Sequence, residues 1–290
     1  MATYLVTVLN GLAMGSLLFA IALGLSLVFG MMDVLNLAHG AIYLVGAYVA
    51  VAVVGDAGGL PSFVLAVLAA AAAGAVLGGV LAGLSRATPH HLDQALLTLG
   101  VALVTTELLS VAFGNDVHSI AAPAPVGGSI GVAGETYPVY RLLVIAFGVG
   151  LSLAVYVLVE RSSLGAVIRA TVADRAMVAA LGVNTGRVLV GVFAAGAALA
   201  AAGGVLAGPI LGAQPGLDDK VMLLALVVVV VGGLGSVRGA LLGAVLIGQV
   251  QALGTALLPE YASFLIFAAM ALVLLLRPAG LLPARAGVHA

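Results

Sequence analysis

Nine apolar runs divide the chain, at residues 5–29, 40–55, 61–84, 94–113, 141–159, 187–207, 221–234, 239–257 and 262–276, and few polar positions fall inside them. A helix that crosses a bilayer needs about 20 mostly apolar residues, and most of these runs come close to that length. The pattern predicts an all-α, polytopic protein of about eight or nine spans, folded as a single transmembrane domain over 1–290. Runs 40–55 and 221–234 are short, which suits broken or re-entrant helices that turn back inside the protein.

Two segments interrupt the apolar pattern. Residues 114–140 contain Pro123, Pro125, Pro138 and five glycines, with β-prone pieces at Ser129–Val132 and Thr136–Tyr140. They predict an ordered loop with a small hairpin. Residues 160–187 carry four of the ten basic residues, Arg161, Arg169, Arg175 and Arg187. Within this second segment Leu164, Ile168 and Val172 recur at every fourth position, while the arginines and Asp174 fall mostly elsewhere. A further helical run, Ala176–Leu181, stops at Gly182, a residue type that often ends helices. Two short amphipathic helices lying on a membrane surface fit this pattern. A simple basic anchor and a docking element for a soluble partner are both compatible with it.

Composition strengthens the membrane reading. The chain is 63% hydrophobic and 7% charged, with a mean hydropathy of +1.31, whereas soluble domains are roughly 25% charged. The 40 glycines suit close approach of helices inside a bilayer, where small residues let backbones touch. With no cysteine, disulfides, thiolate metal sites and thiol catalysis are excluded. A net charge of −1 argues against a nucleic-acid partner. There is no Trp, so Tyr4, Tyr43, Tyr48, Tyr137, Tyr140, Tyr156 and Tyr261 are left to supply any interfacial aromatic belt. The first run has no basic leader and outlasts a signal peptide, so the chain from Leu5 onward reads as a mature span.

Cytoplasmic loops of membrane proteins collect Lys and Arg. Placing 160–187 in the cytoplasm also places Arg86, Arg238, Arg277 and Arg285 there, eight of the ten basic residues in all, and leaves Arg141 and Lys220 outside. The expected orientation is therefore N-terminus out and C-terminus in, with 114–140 external.

Polar residues within the apolar runs are the remaining candidates. Asp33, Asn36, His39 and Gly40 lie at a break between two runs. Irregular backbone at membrane depth survives only where protein or a wet cavity surrounds it. A broken helix lining a solute path and an ordinary capped turn both fit. Gly232, Gly233 and Gly235 mark a second break. Glu107, beside Thr105 and Thr106, sits inside a span, where an acid costs roughly 2.5–3.5 kcal/mol on insertion scales and normally faces protein or water. A structural contact and a place on the path are both open to it. Gln249 and Gln251 face different directions on one helix, so at most one of them is expected to meet a cavity; Gln249 joins Asn36, His39, Gly40 and Glu107 as a candidate for the path, and Asn10 is a weaker candidate of that kind.

Several of these stretches together resemble a known family. Arg169-Ala170, Asp174, Met177, Leu181-Gly182-Val183-Asn184 and Arg187-Val188 resemble the cytoplasmic coupling loop of branched-chain amino acid ABC importer permeases. Leu35-Asn36-Leu37-Ala38-His39-Gly40 is similar to that family's Asn-Phe-Ala-His-Gly signature, with Leu37 at the aromatic position. Gly232-Gly233-Leu234-Gly235-Ser236 with Gly239-Ala240 and Gly243, and the later Arg277-Pro278-Ala279-Gly280-Leu281, also match in order. The likeness extends over nearly the whole chain and is greatest to the smaller, LivH-type permease. One departure is clear: the Glu-Ala-Ala coupling motif common among ABC permeases is replaced by Ala176-Met177-Val178.

The resemblance implies a non-catalytic permease subunit of an inner-membrane importer for branched-chain or related small amino acids. Its implied partners are two cytoplasmic ATPase subunits carrying ATP and Mg, a second, LivM-like permease, and an extracytoplasmic amino-acid-binding protein. No cofactor is implied on this chain. The residues themselves agree in showing no Walker-A pattern and no catalytic constellation. His90-His91 lacks a third ligand at metal-binding spacing, so no metal site is expected. An ion-coupled carrier with Glu107 as its proton site, or a membrane scaffold, are the competing classes.

Overall fold

The computed structural model describes residues 2–32, 36–55, 58–88, 90–132 and 134–282. Asp33, Leu35 and Arg285, which enter the sequence reading above, lie outside them. Among the described residues eleven α-helices are formed: α1 (Ala2–Met32), α2 (His39–Val54), α3 (Leu60–Ala87), α4 (His91–Phe113), α5 (Val139–Val155), α6 (Ser163–Ala173), α7 (Arg175–Ala180), α8 (Thr185–Leu211), α9 (Leu217–Gly232), α10 (Val237–Leu257) and α11 (Ala262–Leu276). Seven helical segments are long and apolar enough to cross a membrane, counting α5 with the turn after it (Val139–Arg161) and α11 with the turn before it (Pro259–Leu276). The predicted hairpin is present as β1 (Ser129–Val132) paired antiparallel with β2 (Glu135–Pro138), Ile130 opposite Tyr137.

Helix ends follow local chemistry. Ser162, Asp174, Asn184 and Ser236 each accept a backbone N–H with their side chain, starting α6, α7, α8 and α10. Such caps satisfy donors that the first turn leaves free. The fifth apolar run continues beyond α5 as one π-helical turn, Tyr156–Arg161. Helix α9 begins four residues before the predicted run 221–234, because Asp218 and Asp219 lie in its first turn. There an acid is favoured by the helix dipole, so the charges open the helix instead of excluding it.

The elements sort into two ends. At one, Arg238 pairs with Glu160 at 3.0 Å, Arg86 packs over Gly186, and Leu281 donates to the Val231 carbonyl. This is the basic end. At the other, His118 and Ala213 exchange backbone hydrogen bonds and Ala124 donates to Gly58. This is the hairpin end. Helices α1 and α8 run through the centre. In α1, 72% of the apolar stretch is buried, against 11% in α4 and 6% in α11, whose outer faces await lipid or another subunit.

Helices α2 and α9 have 16 residues each. At 1.5 Å per residue each is about 24 Å long, short of the ~30 Å hydrocarbon core. Both start at depth. The His39 ring at the start of α2 meets the Ile21 carbonyl of α1, and Asp218 at the start of α9 accepts from Thr106, one turn or more inside α4. The two starts touch, because a Cβ on Gly40 would lie 2.5 Å from the Asp218 carbonyl oxygen.

The C-terminal segment closes the second helix break. Gly233 has φ +108° and Gly235 φ +72°, conformations that suit glycine, and they turn the chain from α9 into α10. Carbonyls at the end of α9 are then free. Leu281 and Leu282 donate to Val231 and Gly232, both at 2.9 Å, so the Arg277–Leu281 motif works as a plug on this break. Truncation after Arg277 strands both acceptors at about 1–3 kcal/mol each. The expected result is a melting temperature in detergent lower by at least about 4 °C. An unchanged value would show that water replaces the plug at no cost.

Candidate functional site

The Asn36–Gly40 break is enclosed by protein. Asn36 is 2% exposed and His39 0%. The Asn36 side-chain oxygen accepts from Ala38 at 3.1 Å, its carbonyl accepts from His39, and Leu37 donates to Thr98 Oγ1 of α4 at 3.2 Å. The N–H groups of Leu37, Ala38 and His39 thus each have a partner, which is how non-helical chain persists at membrane depth. His39 Nε2 faces the Ile21 carbonyl at 3.2 Å; a carbonyl only accepts, so Nε2 donates. His39 Nδ1 is buried with no protein partner.

Directly beside this break lies a residue that sequence reading passed over. Asp218 is 6% exposed; its Oδ2 accepts from Thr106 at 2.6 Å and its Oδ1 from the Gly216 backbone at 3.1 Å. The buried Tyr48 hydroxyl, without a hydrogen-bond partner, lies within electrostatic range of the same carboxylate. Tyr48 is held by aromatic contacts with Phe113 and His118. Two helix starts and a buried carboxylate therefore meet in the interior, and α2 carries two unpaired buried polar atoms, His39 Nδ1 and the Tyr48 hydroxyl. Glu107, one position from Thr106, is exposed on the outer side of α4. Its neighbour, not Glu107 itself, turns inward.

Gln249 is a packing residue in this arrangement. Its amide donates to the Val8 carbonyl at 3.0 Å and lies against Gly11. Gln251, two positions on, instead lines a cavity of about 370 Å³ at the hairpin end, with Asn10 and Arg141 among the other walls. Gly232, Gly233 and Gly235 form the α9–α10 turn, where Gly232 and Gly239 come into backbone contact.

At the basic end the segment 160–187 forms a short helix pair. Gly165 of α6 sits on the Val159 carbonyl so closely that a Cβ there would be 2.1 Å away, fixing α6 to the end of the α5 span. Ile168 and Val172 turn toward the bundle, and Val172 reaches Gly30. Leu164, 70% exposed, leaves the predicted stripe and faces outward with Met177 and Leu181. Arg161, Arg169, Asp174, Arg175, Gly182 and Arg187 are exposed around them. Gly182, at φ +85°, turns the chain from α7 toward α8. Glu160 joins this segment to α10 through Arg238. Among the described residues no group of three or more His, Asp or Glu gathers as a metal site.

A multi-pass helical body, buried helix breaks at depth and a charged helix pair hung from one end define a membrane permease. The chain matches the family described as branched-chain amino acid transport system / permease component over residues 7–274, and it belongs to that family. It is 32% identical to the high-affinity branched-chain amino acid transport system permease protein BraD of Pseudomonas aeruginosa, covering 96% of this chain and 95% of that protein. It is 30% identical, with the same coverage, to the permease proteins LivH of Escherichia coli and of Salmonella typhimurium. No solved structure matches it.

Proposed function

We propose that this chain is the LivH-type permease subunit of an ABC importer that moves branched-chain or related small amino acids across the inner membrane. The observation that carries the proposal is the α6–α7 pair: Leu164, Met177 and Leu181 stand exposed among the exposed Arg161, Arg169, Arg175 and Arg187 of one short segment, whose α6 is seated tightly against the end of the α5 span. Such a patch suits a cleft in a soluble partner, since an apolar centre with a charged rim is the usual anatomy of a protein interface. Two ATPase subunits, carrying ATP and Mg²⁺, grip this pair from the cytoplasm, and the C-terminus lies on the same side. This chain holds no cofactor. A LivM-like permease covers part of the exposed face of α4 and α11, and an extracytoplasmic amino-acid-binding protein docks on the hairpin end.

Force applied to α6 has two routes into the bundle, the Gly165 seat on α5 and the Glu160–Arg238 pair to α10. The second reaches the α10 side of the plugged α9–α10 break directly, and α9 connects that break to the start of α2, which meets its other end at Asp218. Rocking these short helices alternates access to the polar interior around Asp218 and His39. Family membership favours this reading over an ion-coupled carrier. In proteoliposomes containing the chain and its partners, leucine uptake is expected only with ATP inside and binding protein outside. Leucine uptake by the chain alone under an imposed proton or sodium gradient would overturn the proposal.

A further inference from the structure

The cavity at the hairpin end has a composition that neither the coupling segment nor the helix breaks explain. It is lined by Thr7, Asn10, Ala13, Met14 and Leu17 of α1, Arg141 of α5, Ile210 of α8 and Gln251, Ala252, Thr255 and Ala256 of α10, and its volume is about 370 Å³. Small-molecule sites are typically about 300–1,000 Å³, largely apolar, with a few converging polar groups. Here the apolar wall is Ala13, Met14, Leu17 and Ile210, and the polar groups are one guanidinium, two amides and two hydroxyls.

Arg141 is unusual twice over. Among the described residues it is one of two basic residues away from the basic end, and whereas an arginine near a helix end ordinarily extends to the membrane surface, this one turns to Asn10 of α1. Among the described residues no carboxylate lies within 4.0 Å of it. Its Nη1 donates to Asn10 Oδ1, which orients the guanidinium and leaves other N–H groups of the fork free. A guanidinium fork matches a carboxylate with two parallel hydrogen bonds. Nearby, Tyr137 of β2 is fully buried with an unpartnered hydroxyl; burial pushes that hydroxyl's pKa up, opposed in part by the Arg141 charge. Across the cavity Gln251 lines the wall; its side-chain oxygen has no donor and is turned away from the open space, so rotation of the amide is what presents it to a ligand. A free amide oxygen accepts from an ammonium.

We infer that this cavity is an outer binding subsite for an aliphatic α-amino acid. Arg141 takes the carboxylate, Gln251 Oε1 takes the ammonium, and Met14, Leu17 and Ile210 receive the side chain. The inference rests on the importer reading and adds to it a place where substrate first meets this subunit. An anionic lipid headgroup shares the carboxylate's chemistry toward Arg141 but brings no use for Gln251.

The test is binding of radiolabelled L-leucine to the purified transporter containing this chain, with uptake measured in parallel. Arg141→Gln is expected to weaken leucine binding at least tenfold and to raise the uptake KM with little change in maximal rate. Arg141→Lys recovers part of the loss. Leucinamide, which lacks the carboxylate, competes poorly against the unaltered protein. Gln251→Leu weakens leucine while leaving isovalerate, which lacks the ammonium, bound as before, and it keeps the Asn10–Arg141 contact if Arg141→Gln fails to fold. Unchanged leucine affinity and uptake KM in Arg141→Gln and Gln251→Leu, with ATP-driven uptake intact, would overturn the subsite while leaving the importer reading standing. Binding of labelled phosphatidylglycerol that is lost in Arg141→Gln and is not competed by leucine would assign the cavity to lipid and overturn it as well. Absence of ATP-driven uptake in the unaltered complex would instead strike the importer reading.

Discussion

Gly46→Leu is expected to leave no monodisperse protein after extraction into detergent and no leucine uptake in cells. A Cβ at Gly46 would lie 1.9 Å from the Ala201 carbonyl oxygen of α8, and one at Gly204 would lie 2.0 Å from the Tyr43 carbonyl oxygen of α2. The atoms in the way are backbone, which cannot swing aside. The α2–α8 crossing must open instead. Overpacking of an ordinary core costs about 1–3 kcal/mol and occasionally more. Here the opening also pulls α2 from its place beside Asp218, so the expected loss lies at the upper end or beyond. Gly79 and Gly100 have nothing within 4 Å of a built Cβ. Gly79→Ala and Gly100→Ala are therefore expected to give normal protein, since removing a helical glycine generally helps by about 0.5–1 kcal/mol. Normal yield of Gly46→Leu, or collapse of Gly100→Ala, would contradict glycine-mediated packing as the organising contact.

The second large effect concerns the helix pair at the basic end. Gly182→Pro is expected to abolish co-purification of ATPase subunits while the chain still inserts and folds. Gly182 has φ +85° and proline is fixed near −65°, so the α7–α8 turn cannot keep its shape. Gly182 also donates to the Ala179 carbonyl at 3.0 Å, a bond proline cannot make. Arg169→Glu inverts a charge on the exposed rim without touching the backbone, and more than a tenfold loss of bound ATPase is expected. Asp174→Ala serves as a milder member of the series. It removes the cap on Met177, worth about 0.5–2 kcal/mol, and loosens α7 without changing the rim's positive charge. Full ATPase recovery in both Gly182→Pro and Arg169→Glu would remove this segment from the docking role.

Span positions, the hairpin and the two helix breaks were legible because each is written locally. An apolar run of spanning length, a Pro- and Gly-rich interval and an Asn–His–Gly interruption carry their meaning within a few residues. Local caps, such as Asp174 before α7, belong to the same class. What sequence alone could not show depends on pairs brought together by packing. Asn10 and Arg141 meet across 131 positions, and Thr106 and Asp218 across 112. Asp218 in particular reads as part of a polar loop, Asp218-Asp219-Lys220, until the first turn of α9 is seen to begin there. Its signal was available, since paired acids ahead of an apolar run are what a helix start favours. Gln249 and Gln251 were separable in direction but not in destination, because which helix face meets a cavity is decided by neighbours. Leu164 shows the same limit from the other side. Its spacing matches Ile168 and Val172, yet only the latter two pack against the bundle, while Leu164, one turn nearer the start of α6, stays exposed.

The side of the membrane on which the 160–187 pair lies decides more of this account than any other single fact. Because the chain has no native cysteine, one cysteine introduced as Arg169→Cys can be probed without background by a membrane-impermeant maleimide, with Gly128→Cys at the hairpin end as the counterpart. Labelling of Arg169→Cys only in inverted vesicles, and of Gly128→Cys only in intact spheroplasts, is the predicted outcome. Labelling of Arg169→Cys from outside intact spheroplasts would contradict it.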